Sequence, residues 1–177
     1  MAHVDYLQMR PQPALISSSG LRQHPLDVFE RISVAEHYDF ERNGTEEIHV
    51  YVPGLWCHHD ISVRWDAGEE LLSVYLTFGD RYPGGRSNDM CRLISLINER
   101  LVAGHFDFWD KTGGLLYRHA LSLRGGARLR TEQAQDMIAL ALDAAEHAYP
   151  ACQYVVWAGK SPEDALNNAL TDIATHR

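Results

Sequence analysis

The chain has 177 residues, of which 45% are hydrophobic and 23% are charged, so its composition is that of an ordinary soluble globular protein. This length favours one domain with a core large enough to be stable without disulfides or metals. A formal net charge of −8 argues against nucleic acid or a membrane as a partner, because both need a basic surface.

The first third of the chain predicts an arm, a helix and a hairpin. Residues 1–23 lack apolar periodicity, which indicates a flexible arm. From Pro25 onward, apolar residues recur at three- and four-residue spacing, as they do on the buried side of a helix. Asn43-Gly44 then predicts a tight turn between strands near Tyr38–Arg42 and Glu47–Val52.

Two longer strands follow, over Leu55–Trp65 and from about Leu72, with a turn at Asp66–Glu69. Their residues alternate between apolar and polar, which indicates antiparallel strands with one covered face and one wet face. The residues expected on the covered face are Cys57, His59, Ile61, Val63, Trp65, Leu72, Val74, Leu76 and Phe78.

A central helix should begin after the loop Gly79–Arg86, with Ser87 as its N-cap and Asp89 in its first turn. We expect Gly104 to end this apolar run, because glycine readily adopts positive φ just past a helix. The helical spacing of the apolar residues is the most regular in the chain, and its members are Met90, Leu93, Ile94, Ile97 and Leu101.

Two alternating segments, His105–Trp109 and Leu115–Leu123, predict a hairpin closed by Lys-Thr-Gly-Gly. Their apolar faces coincide when Asp107 lies opposite Arg118, and these two side chains would then form an ion pair across the strands. In that register the neighbouring facing pairs are Phe106 with His119 and Phe108 with Tyr117.

The last third of the chain predicts helices. Thr131 opens an alanine-rich helix, which Pro150 kinks or restarts. Residues Tyr154–Trp157 continue as helix or form a short strand, and we favour helix. Ser161–Asp164 resembles a capping box that starts the last helix. The predicted order is α-β-β-β-β-α-β-β-α-α, an α+β fold in which helices pack on an antiparallel sheet.

The segment Cys57-His58-His59-Asp60 is the most obvious candidate for a metal site. Neighbouring residues of a strand point to opposite faces, so Cys57 pairs with His59 and His58 pairs with Asp60. Neither pair supplies the three or four ligands that zinc needs. We therefore favour one packed pair and one surface pair, and expect no metal and no cofactor.

Other candidate chemistry is weak. A nucleophile elbow, an HExxH motif, an EF-hand and a phosphate-binding loop are all missing from the sequence, so we expect no catalytic residues. His119 sits on an apolar face, where a core histidine that bonds to Asn98 or a backbone carbonyl is favoured over a general base. His105 lies on the other face, either at the surface or in a pocket.

The cysteines indicate a reducing compartment. Cys57, Cys91 and Cys152 are odd in number and lack a CxxC spacing, which favours thiols in the cytoplasm over disulfides. No apolar run approaches the length of a membrane span, and residues 1–20 lack the apolar segment of a secretion signal.

Several motifs together resemble the YbjN domain family. The main ones are Gly104–Trp109 and Tyr117–Leu121. Further matching segments are Trp56, Val63–Trp65, Leu96–Leu101, Tyr149–Ala151, Val156-Trp157 and Gly159–Leu166. The resemblance covers about Pro25 to Ala169, and we expect a YbjN-like domain over residues 24–177.

This resemblance implies a bacterial sensory transduction regulator with a fold like that of type III secretion chaperones. The family's members have no agreed catalytic residues, so the resemblance assigns none here. Type III secretion chaperones commonly pair, and the resemblance therefore also implies a homodimer.

Three functional classes follow. The leading one is a non-catalytic protein-binding or chaperone-like adaptor that uses aromatic residues on the wet face. The second is a small-ligand sensor with a pocket near Asn98, His105 and Arg118, in which Arg118 would bind an anion. The third is an uncharacterised metal-dependent or hydrolytic enzyme. The candidate binding residues are Trp56, Tyr75, Asn98, His105, Trp109 and Arg118.

Overall fold

A computed structural model describes residues 23–79, 82, 84–109 and 111–176 of the chain. Apart from Gln23, the predicted arm lies outside these residues. The helices are α1 (Pro25–Glu36), α2 (Ser87–Asn98), α3 (Thr131–Val156) and α4 (Pro162–His176). The strands are β1 (Asp39–Asn43), β2 (Glu47–Pro53), β3 (His58–Asp66), β4 (Leu71–Thr77), β5 (His105–Trp109) and β6 (Gly114–Ser122). Both the α+β class and the predicted order of elements are confirmed.

The strands form one antiparallel sheet with the order β1-β2-β3-β4-β6-β5. Hairpins join the first four strands in sequence. Helix α2 then carries the chain past β4, so that β5 forms an edge and β6 returns to pair with β4. The predicted hairpin at Asn43-Gly44 is confirmed, and Gly44 has a φ of 62° in its turn.

One face of the sheet is covered by helices. Helix α1 packs on β2 and β3, α3 on β4 and β6, and α2 on β5, while α4 lies against α2 and α3. Alternate strand residues enter this core, as the sequence predicted, and Ile61, Val63 and Val74 are fully buried. From α2, Met90, Leu93, Ile94 and Ile97 are buried, whereas Leu101 lies beyond the helix and is half-buried.

The third strand is shorter than predicted and begins at His58 rather than Leu55. The backbone N–H of Gly54 donates to the carbonyl of Cys57 at 2.9 Å, which folds the intervening residues into a turn. Leu55 is half exposed, and the indole of Trp56 points to α3 instead of following the alternation of the strand.

The ends of α2 also differ from the prediction. Ser87 is the first helical residue, and Arg86 occupies the N-cap without a side-chain capping bond, because a guanidinium has no acceptor for the helix N–H groups. The Arg86 guanidinium instead pairs with Asp89 at 2.7 Å. The helix ends at Asn98, well before Gly104. Gly104 has a φ of 68° and directly precedes β5. A side chain at Gly104 would also collide with Tyr117, since its Cβ would lie 2.3 Å from the hydroxyl oxygen.

The predicted register of the β5–β6 hairpin is wrong by two residues, because His105 rather than Asp107 lies opposite Arg118. The turn is tighter than expected: Gly113, at a φ of 65°, donates to the carbonyl of Trp109 at 2.8 Å. A shift of two residues preserves the faces of both strands. Asp107 and Arg118 therefore still form an ion pair, at 3.0 Å and on a diagonal.

Helix α3 continues through Pro150 to Val156, so the helical interpretation of residues 154–156 is confirmed. A proline has no N–H and leaves the carbonyl four residues earlier without its helical donor. In this helix that carbonyl belongs to Glu146, and it accepts a hydrogen bond from the indole Nε1 of Trp56 at 3.1 Å. The predicted cap of α4 is confirmed by the bond from the Asp164 N–H to the Ser161 hydroxyl.

We expect Trp56→Phe to cost about 1–3 kcal/mol of unfolding free energy, because it leaves the part-buried Glu146 carbonyl without this donor. Pro150→Ala supplies a backbone N–H that can satisfy the same carbonyl. In the Pro150→Ala protein, Trp56→Phe should therefore lower the unfolding free energy by about 1 kcal/mol less than it does in the wild type. Urea unfolding of the four proteins in this cycle measures the difference, and an equal cost in both backgrounds would show that the two residues are not coupled.

Candidate functional site

The face of the sheet opposite the helices carries mostly polar and charged side chains; we call it the open face. It consists of the strand residues that alternate with the buried ones. One row of aligned residues crosses all six strands, in the order Glu41, His49, Ser62, Tyr75, Arg118 and His105. The open face therefore brings residues from distant parts of the chain into one surface.

Tyr75 lies near the centre of this row, between two arginines. The guanidinium carbon of Arg64 is 5.6 Å from the centre of the Tyr75 ring, a cation–π distance. Arg118 lies directly opposite Tyr75 on β6. The small side chains of Ser73 and Ala120 pair beside them and leave a shallow groove of about 410 Å³. Tyr75, His105 and Arg118 line this groove.

Arg118 is held by two neighbours on β5. Its Nε lies 3.0 Å from the Asp107 carboxylate and donates to Nε2 of His105 at 2.9 Å. The same His105 nitrogen is 3.8 Å from Asp107. Half of the Arg118 side chain is exposed, so its guanidinium faces solvent while the carboxylate fixes its direction.

A second charged cluster lies on β2 and β3. Glu47 accepts hydrogen bonds from the hydroxyl of Ser62 at 2.7 Å and from Nε of Arg64 at 2.8 Å. These two bonds, first Ser62 and then Arg64, lower the pKa of Glu47 from 4.5 to about 2. His49 bonds to Asp60 at 2.9 Å; burial opposes its protonation, but the carboxylates of Asp60 and Glu47 raise its pKa.

The six candidate binding residues do not form one site. Trp109 lies at the edge of the open face and is 56% exposed, so it extends the surface beyond the groove. Trp56 faces α3, away from the groove. Asn98 ends α2, where its amide donates to the carbonyl of Phe106 at 3.0 Å and accepts from the N–H of the same residue at 2.8 Å. Asn98 therefore fixes the start of β5 and does not line the groove.

His119 lies on the helix-covered side of β6. The expected bond to Asn98 is not formed, because the Asn98 amide is occupied by the backbone of Phe106. Nδ1 of His119 is buried and has no partner among the described residues. His119 is therefore a packed histidine with one unsatisfied nitrogen in this part of the chain.

The segment Cys57–Asp60 divides between two environments, as the strand alternation predicted. His58 is exposed, and Asp60 binds His49 on the open face. His59 is 1% exposed and bonds to the carboxylate of Glu146 in α3 at 2.9 Å. Among the described residues, no group of three His, Cys, Asp or Glu side chains has the arrangement of a metal site.

Sequence reasoning missed Glu146. It lies 87 residues from His59, in a helix whose pattern only indicates alanine-rich packing. One carboxylate oxygen accepts from both His59 and the N–H of Leu55, at 2.9 Å each. A polar residue near the apolar stripe, one helical turn before a proline, is the signal that could have drawn attention to it.

The comparisons with known proteins agree with the motifs. The model of the YbjN family, described as "Putative bacterial sensory transduction regulator", matches residues 25–154. The chain belongs to the YbjN family. A search of the curated proteins finds no match.

A solved structure, that of YbjN from E. coli, described as a "putative transcription regulator", is similar to this chain. The identity is 13%, the TM-score is 0.48, and the match covers 67% of this chain and 84% of the other. At that TM-score the likeness adds nothing to the family assignment. No helix in the described part of the chain is long and apolar enough to cross a bilayer.

We expect Glu47→Gln to lower the unfolding free energy by about 1–3 kcal/mol near neutral pH, because the charged bonds to Ser62 and Arg64 are weakened. The pKa of Glu47 is lower in the folded than in the unfolded protein. Its contribution is therefore present above 4.5 and lost as the pH falls towards 2.

Urea unfolding at a series of pH values should show the wild type and Glu47→Gln converging between these limits. Glu46→Gln, on the adjacent exposed turn, is the matched control and should change stability little at any pH. A gap between wild type and Glu47→Gln that stays constant down to pH 2 would contradict the assignment.

Proposed function

We propose that this YbjN-family protein is a non-catalytic adaptor or regulator that binds a protein partner through its open face. The observation that carries the proposal is that the described helices pack on one side of the sheet and leave the other side uncovered. Six strands at about 4.8 Å spacing give a surface about 24 Å wide, enough to hold a helix or a loop of a partner.

The composition of the open face supports a protein partner. Tyrosine, tryptophan and arginine are the residues most enriched in the energetically important parts of protein interfaces. The open face carries Tyr75, Trp109, Arg64 and Arg118 on neighbouring strands. Its arginines are 63% and 50% exposed, so a partner can reach both guanidinium groups without rearranging the sheet.

We expect the double variant Trp109→Ser/Arg118→Glu to lose partner binding and keep its fold. The matched control is Trp157→Ser/Arg92→Glu, which changes the same residue types on the helical side, where both side chains are well exposed. The full-length wild type serves as bait for cross-linking and mass spectrometry, and the dissociation constant of the purified partner is then measured with all three proteins by calorimetry.

A weakening of at least about tenfold in the open-face variant alone is the expected result, because interface aromatic and arginine residues contribute 2 kcal/mol or more when they are central. Equal affinity in the two variants would reject the open face as the binding surface. Weakening in the control variant alone would place the partner on the helices instead.

A small-ligand sensor is the second candidate, supported by the groove at Tyr75, His105 and Arg118. The groove is shallow, and Arg118 already has a carboxylate partner in Asp107. Both features favour a broad protein contact over an enclosed small ligand. The two candidates differ in the calorimetric experiment, since a sensor would bind an anion such as inorganic phosphate in an Arg118-dependent way without any protein.

We also propose a homodimer in the cytoplasm, a part of the function that rests on the likeness of the YbjN family to paired secretion chaperones. Light scattering at micromolar concentration should give twice the 20.0 kDa mass of one chain. A mass that stays at that of one chain throughout the micromolar range would reject the dimer. Repeating the measurement with Trp109→Ser/Arg118→Glu shows whether the open face holds the two copies together.

A further inference from the structure

We propose that Cys57 is a reactive thiol, activated by His59 and Glu146, and that hydrogen peroxide modifies it to a sulfenic acid. The three side chains form a chain of contacts at the start of β3, on the helix-covered side of the sheet. The site is separate from the groove at Tyr75 and does not depend on the proposed partner binding.

The contacts follow one another through the imidazole ring. The Cys57 sulfur lies 3.9 Å from Nδ1 of His59, and Nε2 of the same ring lies 2.9 Å from a carboxylate oxygen of Glu146. The ring is 1% exposed, whereas Cys57 as a residue is partly exposed. A small oxidant can therefore approach the thiol from solvent, while the His59 ring behind it is shielded from water.

The local structure fixes this arrangement. Gly54 leaves space for the ring and the carboxylate, since a Cβ at this position would lie 2.5 Å from His59 and 2.2 Å from Glu146. The backbone N–H of Leu55 and the indole of Trp56 both donate to Glu146. The loop that carries Cys57 is therefore tied to the residue that orients His59.

The two nitrogens of the His59 ring have different neighbours, Cys57 at Nδ1 and Glu146 at Nε2. Among the described residues, the titratable groups in contact with the ring are Glu146 from α3 and Cys57 from its own segment, and the ring of Phe78, just after β4, packs edge-on against it. The second oxygen of Glu146 is buried without a partner among the described residues. A hydrogen bond from Nε2 of His59 to the Glu146 carboxylate leaves Nδ1 of the same ring as the acceptor that faces the Cys57 thiol.

The same contacts argue against a metal. Cys57 and Glu146 approach different nitrogens of the ring, and the two nitrogens of an imidazole direct their lone pairs away from each other. One ion cannot bind both nitrogens of one histidine. The arrangement therefore suits proton transfer along the chain of contacts, with His59 and Glu146 as positioning residues for the thiol.

The reaction balances with peroxide as the only added reactant. The Cys57 proton moves to Nδ1 of His59, and Glu146 accepts a hydrogen bond from Nε2. The thiolate attacks one peroxide oxygen, so that an S–O bond forms and the O–O bond breaks. The leaving hydroxide takes the proton back from the imidazolium. The products are Cys57 sulfenic acid, water and neutral His59; sulfur is oxidised and peroxide is reduced.

The other two cysteines supply internal references. Cys91 is exposed on α2. Cys152 is fully buried, and burial raises the pKa of its thiol to about 12, so it should be inert in the folded protein. Protection of Cys152 therefore reports, in each variant, that the fold is intact.

The test measures the rate of alkylation of each cysteine by iodoacetamide as a function of pH, with peptide mass spectrometry as the readout. We expect the rate for Cys57 to reach half its plateau at least one pH unit below the value of about 8.5 for an unperturbed thiol. In Glu146→Gln and His59→Gln the midpoint should return towards that value, while Cys91 keeps its midpoint and Cys152 stays protected.

If Cys152 becomes alkylated in His59→Gln, that variant has lost its fold, and the Cys57 midpoint of Glu146→Gln is compared with wild type instead. A Cys57 midpoint equal to that of the urea-unfolded protein would overturn the proposal. The second arm adds peroxide and then dimedone, which traps sulfenic acids. Dimedone on Cys57 at least about tenfold faster than on Cys91 supports the reaction. If Cys57 is alkylated with a lowered pH midpoint but is not labelled by dimedone after peroxide, peroxide is rejected as the reactant.

Discussion

The burial of one face of the sheet against α1, α2 and α3 is the constraint on which the other features depend. Apolar burial contributes about 25 cal/mol per Å² removed from water, and alternate residues of the central strands are fully buried. These helices direct their buried residues to this one side, where they form the hydrophobic core of the described residues. The opposite face receives no cover from the described helices, and most of its side chains are polar or charged.

The joint between α3 and the sheet shows how one irregularity in a helix is used. Pro150 frees the Glu146 carbonyl, and Trp56 supplies the missing donor. The Glu146 side chain, in the same turn of α3, bonds to the backbone N–H of Leu55 and to the His59 ring. The backbone and the side chain of a single residue thus hold the loop before β3, which explains why this loop leaves the strand pattern that its sequence suggests.

Periodicity predicted the parts of the fold that depend on which side of a strand a residue faces. It placed Asp107 and Arg118 on one face correctly, because a face is set by parity alone. It could not give the register of β5 and β6, since a shift of two residues leaves every face unchanged. The turn decides between such registers, and Gly113 with its positive φ makes it tighter than the alternation implied.

The candidate site was predictable to a smaller extent for a related reason. Tyr75, His105 and Arg118 meet because their strands are neighbours and their faces agree, which alternation can indicate. Asn98 and Trp56 were grouped with them because of their side-chain chemistry. In the structure the Asn98 amide bonds to the backbone of Phe106, and the Trp56 indole bonds to the backbone carbonyl of Glu146. Long-range contacts of this kind have no local signature.

The pairing of the charges limits how the open face can bind. Arg118 has Asp107, and Arg64 has Glu47, so a partner that approaches through charge must compete with ion pairs within the chain. An ion pair at the surface is worth about 0–1 kcal/mol, so exchanging the Arg118–Asp107 pair for an intermolecular pair changes the binding free energy little. The arginines are better suited to steering and orienting a partner, whereas Tyr75 and Trp109, with their larger apolar area, are better suited to supplying affinity.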